Sequence, residues 1–149
     1  MLDSLLTALA PVVEVLLRAV VGLALVPHGL RMTFGFFPNS GLKVRNLTML
    51  AAQLDGDGYR PGRLWAPAIA LTELVAGPLL ALGLFTRLAA VPIAIFLAVS
   101  CWERWHKGGW FWNTQGVEYT LMWTVAAAYF LVHGGGVWSL DYLVFGWKS

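Results

Sequence analysis

Charged side chains are scarce in this sequence. They make up 12% of its 149 residues, whereas soluble globular proteins contain about 25%. Apolar side chains account for 58%, and the mean hydropathy is +0.69. This balance predicts an all-α integral membrane protein with one membrane domain over residues 1–149, because spans and their connections leave no room for a separate soluble domain.

Cysteine is nearly absent as well. The single Cys101 excludes an intramolecular disulfide, and no CxxC, CxxCH or cysteine cluster is present. We therefore expect no intrinsic redox cofactor and no metal site. The net charge of +2 is scattered, which excludes a nucleic-acid partner. The first residues carry Asp3 but no Lys or Arg, so we expect no signal peptide and a retained N-terminus.

Four apolar stretches predict a four-transmembrane-helix bundle, because each is about long enough for a hydrocarbon core of ~30 Å. Pro11 suits the first turn of the first helix, and three glycines end the last. Residues 42–54 combine apolar side chains at helical spacing with charged ones, which predicts an interfacial amphipathic helix between spans 1 and 2. The spans are expected at about 12–30, 64–85, 88–105 and 116–133.

The basic residues are unevenly distributed between the two predicted sides. Arg87 and Lys148 fall on the side of the termini, against seven basic residues on the other side. The positive-inside rule then places both long connections in the cytoplasm and both termini outside. The seven are Arg31, Lys43, Arg45, Arg60, Arg63, Arg104 and Lys107.

Glu73 lies close to the middle of the second predicted span. A charge at that depth costs about 2.5–3.5 kcal/mol unless a partner, a water-filled pocket or protonation compensates it. Arg18, near the middle of the first span, is the natural partner, and we predict an ion pair between the two. Gly22 and Gly77 would let the two helices approach closely.

Three further polar residues are predicted nearer the cytoplasmic surface: His28, His106 and Glu118. With Arg18 and Glu73 they would form a polar, ligand-binding funnel. Each also has a purely structural interpretation. The ion pair would only specify bundle packing, Glu118 would stabilise a helix N-terminus, and the histidines would be interfacial. A bis-histidine haem between His28 and His106 has little support.

Several motifs, taken in this order and spacing, resemble the DoxX family of small four-helix membrane proteins. The resemblance runs from about Leu17 to Asp141, and it implies structural roles for Gly22, Gly77, Arg87 and Asp141. Family members are associated with thiosulfate:quinone oxidoreductase, with terminal quinol oxidase complexes and with oxidative-stress assemblies, although many have no established activity. The motifs are LLRAVVGLALVPHGLRM, TELVAG, GLFTRLAA, HKGGWFWNTQGVEY and GGGVWSLDYL.

Three functions stay open at this point. The first is a redox-system subunit that handles a quinone-like or other small amphipathic molecule in the funnel, as in a thiosulfate:quinone oxidoreductase-type small subunit. The second is a non-enzymatic assembly or accessory subunit, and the third is a small-molecule or proton-coupled transporter. The expected surroundings are the lipids of a bacterial inner membrane and either a larger complex or further copies of the chain.

Overall fold

The computed structural model describes residues 1–41 and 43–147, and within those ranges all regular secondary structure is helical. The all-α prediction is therefore confirmed. The helices are α1 (Leu2–Phe34), α2 (Leu47–Gly56), α3 (Gly62–Leu71), a π-helical segment (Thr72–Ala76), α4 (Gly77–Leu82), α5 (Thr86–Gly108), a 3-10 turn (Trp112–Thr114), α6 (Glu118–His133) and α7 (Leu140–Phe145).

Three helices in the described ranges are long and apolar enough to cross a bilayer. They are α1, the continuous helix Gly62–Leu82 formed by α3, the π segment and α4, and α5. With 16 residues, α6 is shorter than the ~20 residues that a span usually needs. A fourth crossing therefore stays a prediction.

The first helix differs most from its predicted bounds of 12–30. It begins ten residues earlier, and both Pro11 and Pro27 lie inside it. Pro11 frees the carbonyl of the residue four positions before it, in a segment, residues 1–10, that is fully exposed and not packed against the bundle. The helix ends at Gly35, whose left-handed conformation (φ 74°) lets its N–H donate to the carbonyl of Arg31 at 2.9 Å.

The second long helix widens into a π turn where Glu73 lies. The N–H of Gly77 donates to the carbonyl of Thr72, five residues back. Pro78 follows at once, and its ring would clash with the carbonyl of Leu74 in a regular helix. The wider turn relieves that clash, and Gly83 (φ 68°) then ends the helix three residues before the predicted limit.

The predicted amphipathic helix exists but is shorter and lies against α3. Asn46 caps it by accepting a hydrogen bond from Met49 N at 2.8 Å, so it begins at Leu47; the predicted start, Leu42, is outside the described residues. At its other end, Asp55 accepts a hydrogen bond from Gly62 N at 2.7 Å. This contact fixes α2 to the first turn of α3.

Close helix contacts set how α1 lies against the second long helix. A Cβ at Gly22 would lie 2.7 Å from Ala81 N, and a Cβ at Gly29 would lie 2.9 Å from the Cβ of Glu73. Only glycine permits both approaches, so the structural role predicted for Gly22 has a steric basis, and Gly77 packs directly against it. The core between α1, the second long helix, α5 and α6 contains Val21, Leu25, Ala76, Leu80, Ala89, Ala90, Ile93, Leu97, Ala127 and Phe130.

The last part of the chain follows the glycine run that ends α6. Gly134 terminates α6 at His133, as predicted, and α5 exceeds its predicted bounds of 88–105 at both ends. Ser139 Oγ then caps α7 by accepting a hydrogen bond from Tyr142 N at 3.1 Å. Lys148, which the orientation prediction used, is outside the described residues.

Candidate functional site

A cavity of about 400 Å³ lies between α1, the π segment, α5 and the beginning of α6. Its walls are mainly apolar and aromatic, with a few polar groups among them, which is the usual make-up of a small-molecule site. The lining residues are Val21, Ala24, Leu25, His28, Glu73, Phe96, Leu97, Ser100, Arg104, Trp112, Gly116, Tyr119, Thr120 and Trp123.

Glu73 is the buried polar group of this cavity. Its side chain is 2% exposed, and its Oε2 has no hydrogen-bond partner among the described residues. None of the ion pairs found within 4.0 Å in those residues includes it. A buried oxygen without a partner costs roughly 2–7 kcal/mol, so the site retains an unsatisfied group that a ligand can satisfy.

The backbone explains how Glu73 reaches the cavity. The π segment adds one residue to the helical turn, and such insertions are frequent at functional sites. On the other side, Gly29 lets the backbone of α1 pass directly over the Cβ of Glu73. The π turn and the absence of a side chain at Gly29 thus together enclose the carboxyl group of Glu73.

Basic side chains cluster at the end of the cavity that is predicted to face the cytoplasm. His28 comes from the last turns of α1, and Arg104 comes from α5, where it donates to the carbonyl of Gln115 at 3.3 Å. Arg31, 8% exposed, lies in the last turn of α1, three residues after His28. No carboxylate forms an ion pair with these three in the described parts of the chain. This end of the cavity therefore favours electron-rich groups.

Two aliphatic hydroxyl groups, those of Ser100 and Thr120, also line the cavity. Ser100 Oγ donates to the carbonyl of Phe96 at 2.9 Å, and Thr120 Oγ1 donates to the carbonyl of Val117 at 2.8 Å. Each hydroxyl uses its hydrogen within its own helix or helix start, so its oxygen lone pairs stay available as acceptors.

The predicted ion pair between Arg18 and Glu73 is wrong. Arg18 donates to the backbone carbonyls of Ala81 at 3.1 Å and Trp138 at 3.3 Å, and to that of Gly135. Ala81 is eight residues beyond Glu73, which corresponds to about 12 Å along a helix. Arg18 thus lies beside the 83–85 turn, at the end of the bundle and at a different level from Glu73.

Asp141 holds together the same end of the bundle. Its carboxylate accepts hydrogen bonds from Phe85 N at 2.6 Å, Thr86 N at 2.8 Å and Thr86 Oγ1 at 2.7 Å, so it caps the N-terminus of α5. Its own N–H donates to the carbonyl of Gly83 at 2.8 Å. These contacts give physical content to its predicted structural role. Arg87, the fourth such residue, donates to the carbonyl of Val132 at 3.1 Å.

Glu14, Tyr129 and His133 join α1 to α6 at this end. Tyr129 Oη donates to Glu14 Oε1 at 2.9 Å, and His133 Nδ1 lies 3.7 Å from the same oxygen. At the other end of α6, Tyr119 and Thr120 line the cavity opposite His28. The polar contacts therefore fix α1 to α6 at one end, and the cavity separates the two helices at the other.

The structure brings together only part of the predicted funnel. His28 and Glu73 line the cavity, whereas His106 and Glu118 are outside its lining. His106 Nδ1 lies 2.7 Å from the carbonyl of Trp102, and its ring packs on that indole, while Glu118 is half-buried in the first turn of α6. Ligand-binding roles for the five predicted residues stay predictions.

Sequence reasoning missed Arg104, Tyr119 and Trp123 as lining residues. A usable signal existed on α5, since Phe96, Ser100 and Arg104 follow one another at intervals of four residues and so share a helix face. In the sequence Arg104 counts only toward the charge balance between the two sides, although it lies inside the predicted third span, 88–105.

Comparison with known proteins gives one result. The model of the DoxX family matches residues 13–103, more than half of the chain, a stretch that contains Arg18, His28 and Glu73. No curated protein and no solved structure matches the chain.

Proposed function

Because the chain belongs to the DoxX family and has helices suited to a bilayer, it is an integral membrane protein, and we propose that it is the membrane subunit of a redox system that holds a quinone-like or other small amphipathic molecule in the Glu73 cavity. The observation that carries the proposal is the unsatisfied Oε2 of Glu73 in the wall of a 400 Å³ cavity. The fourth crossing, formed by α6, and a topology with both termini outside belong to the same proposal.

The lining residues suit such a molecule chemically. A quinone combines a ring and an apolar tail with two carbonyl oxygens at opposite sides of the ring. Leu25, Leu97 and Trp123 offer apolar contact for the ring or tail. At the other end, Arg104 and His28 carry N–H groups that can bind an oxygen of the ring.

Glu73 supplies a second polar contact deeper in the cavity. Its carboxyl group can accept a hydrogen bond from a reduced ring hydroxyl or, when protonated, donate one to a ring carbonyl. A quinone bound there would accept two electrons from a partner protein, together with two protons, and become a quinol.

The direct test is a binding titration of the purified protein with a short-chain quinone. Trp112 and Trp123 line the cavity, so a bound quinone should quench tryptophan fluorescence. We expect saturable quenching, and we expect Glu73→Gln to raise Kd at least tenfold, because the amide keeps the shape of the side chain but changes its hydrogen bonding. Glu103→Gln is the matched control, since Glu103 pairs with Lys107 outside the cavity.

Two results would contradict the proposal. Unchanged quinone affinity in Glu73→Gln would show that Glu73 is not part of the binding site. If no saturable binding occurred at all, the accessory-subunit function would be favoured instead. Quinone extracted with the native protein from its membrane and identified by mass spectrometry gives an independent measurement.

A further inference from the structure

Helix α1 presents two different faces along its length. Arg18, Val21, Gly22 and Leu25 are buried and face the bundle. On the opposite side, seven apolar side chains repeat with a period of seven residues and are each 45–67% exposed. We call this set the α1 seam; it consists of Leu2, Leu6, Leu9, Val13, Leu16, Val20 and Leu23.

The α1 seam has the residue pattern of a coiled coil. Leu2, Leu9, Leu16 and Leu23 occupy one position of the heptad repeat, position d. Position a, four residues after Leu2, Leu9 and Leu16, holds Leu6, Val13 and Val20. Valine at a with leucine at d favours two parallel strands.

Part of the seam lies beyond the rest of the bundle. Arg18 meets the turn and loop that mark this end, so Leu2 is about 24 Å further along the helix axis. In this segment residues 1–10 are all exposed, and Asp3, Ser4 and Thr7 lie away from the seam. The segment is therefore amphipathic, unlike a stretch that faces hydrocarbon on every side.

From this pattern we propose that the α1 seam binds the α1 seam of a second copy of this chain, as a parallel pair. Two copies inserted in the same membrane have the same orientation, so their α1 helices must run parallel if they pair about an axis normal to the membrane. The seven side chains leave roughly 700 Å² exposed per chain, close to the ~800 Å² per partner of a stable interface. No charged residue occupies an a or d position of the seam.

The α1 seam and the cavity use different faces of the helix, so this inference stands independently of the proposed function. Leu2, Leu6 and Leu9 would supply hydrophobic association outside the hydrocarbon core, and Val13, Leu16, Val20 and Leu23 would supply close packing within it.

Site-specific disulfide cross-linking in native membranes tests the pairing. In a Cys101→Ser background, single cysteines are placed on the seam (Leu2→Cys, Leu9→Cys) and off it (Thr7→Cys, Ala8→Cys), and the membranes are then oxidised. We expect disulfide-linked pairs of the 16.3 kDa chain at the seam positions, at least tenfold more than off the seam. Cross-links between identical positions require parallel helices in register.

Three outcomes would overturn the inference: no cross-linked pair at any position, equal yields on and off the seam, or a main product with a mass other than two chains. A second measurement guards against misfolding. Native mass spectrometry of Leu9→Glu should show a two-copy population reduced at least tenfold, whereas Thr7→Glu keeps it. A two-copy population retained in Leu9→Glu would also overturn the inference.

Discussion

Arg18 and Glu73 are buried to the same degree, at 2% exposure each, yet their surroundings differ completely. Arg18 donates to three backbone carbonyls, and nearby Asp141 accepts three hydrogen bonds. Glu73 has an oxygen without a partner in the described residues and faces a cavity. Buried polar groups that satisfy one another stabilise a fold, whereas an unsatisfied group beside a cavity is available to a ligand.

This contrast divides the polar residues between two tasks. The end of the bundle that contains Arg18 and Asp141 connects the 83–85 turn, the glycine loop after α6 and the capped helix α7. The end that contains Glu73, His28 and Arg104 leaves α1 and α6 apart. Substitutions at the two ends should therefore have opposite effects on stability and on binding.

The largest expected effect is the loss of stability in Arg18→Ala. The change leaves three carbonyls without their donor, so we expect the free energy of unfolding to fall by about 3–5 kcal/mol. Arg87→Ala is the control: Arg87 is exposed and makes one hydrogen bond, so its loss should cost below about 1 kcal/mol. Unfolding in detergent measures both, and equal losses would contradict the structural role of Arg18.

Asp141→Asn should destabilise somewhat less, by about 2–3 kcal/mol, because the amide offers one acceptor oxygen where the carboxylate offers two. The comparison is Asp3→Asn, since Asp3 is exposed in the first turn of α1. Thermal unfolding monitored by circular dichroism distinguishes them. An Asp141→Asn midpoint equal to that of Asp3→Asn would mean that the cap on α5 contributes nothing.

Glu73→Met should change the free energy of unfolding in the opposite direction, by raising it. It replaces an unsatisfied buried carboxyl group with an apolar side chain of similar length, so we expect the ligand-free protein to gain about 1–2 kcal/mol of stability. The same variant should lose the quinone-induced rise in unfolding temperature. A destabilised Glu73→Met protein would show that Glu73 supports the fold, which would break the contrast with Arg18.

Tyr129→Phe should give the smallest effect, about 0.5–1 kcal/mol, because it removes one partly exposed hydrogen bond to Glu14. Quinone affinity should stay unchanged, since Tyr129 is outside the cavity lining. Tyr119→Phe, at a lining position on the same helix, provides the comparison for binding. If the Kd for the quinone changed in Tyr129→Phe but not in Tyr119→Phe, the two ends of the bundle would be coupled. That result would contradict their separate roles.

The sequence allows the position of Glu73 to be predicted, but not the partners of Arg18. A lone carboxyl group in an apolar run, with Gly22 and Gly77 available for close packing, stands out from composition alone. The partners of Arg18 are backbone carbonyls, which carry no side-chain signature, so the prediction turned to the nearest acidic side chain at a similar estimated depth.

The predicted bounds of the first span were wrong for a different reason: Pro11 suits a first helical turn, yet it lies inside α1. Both Pro11 and Pro27 lie inside α1, so proline alone does not fix where the helix begins. The contacts of Arg18, and not the start of α1, place its guanidinium at the end of the bundle, level with Ala81. Arg104 was missed although the predicted third span, 88–105, contains it, because it was interpreted only through the positive-inside rule.

The most direct test of the central claim is a high-resolution density map of the protein prepared with a bound short-chain quinone. We predict density for the ring between α1 and α6, with one ring oxygen within hydrogen-bond distance of Glu73. Lipid tails or close side-chain packing in that space, with Glu73 bonded to a group of the protein itself, would contradict the account.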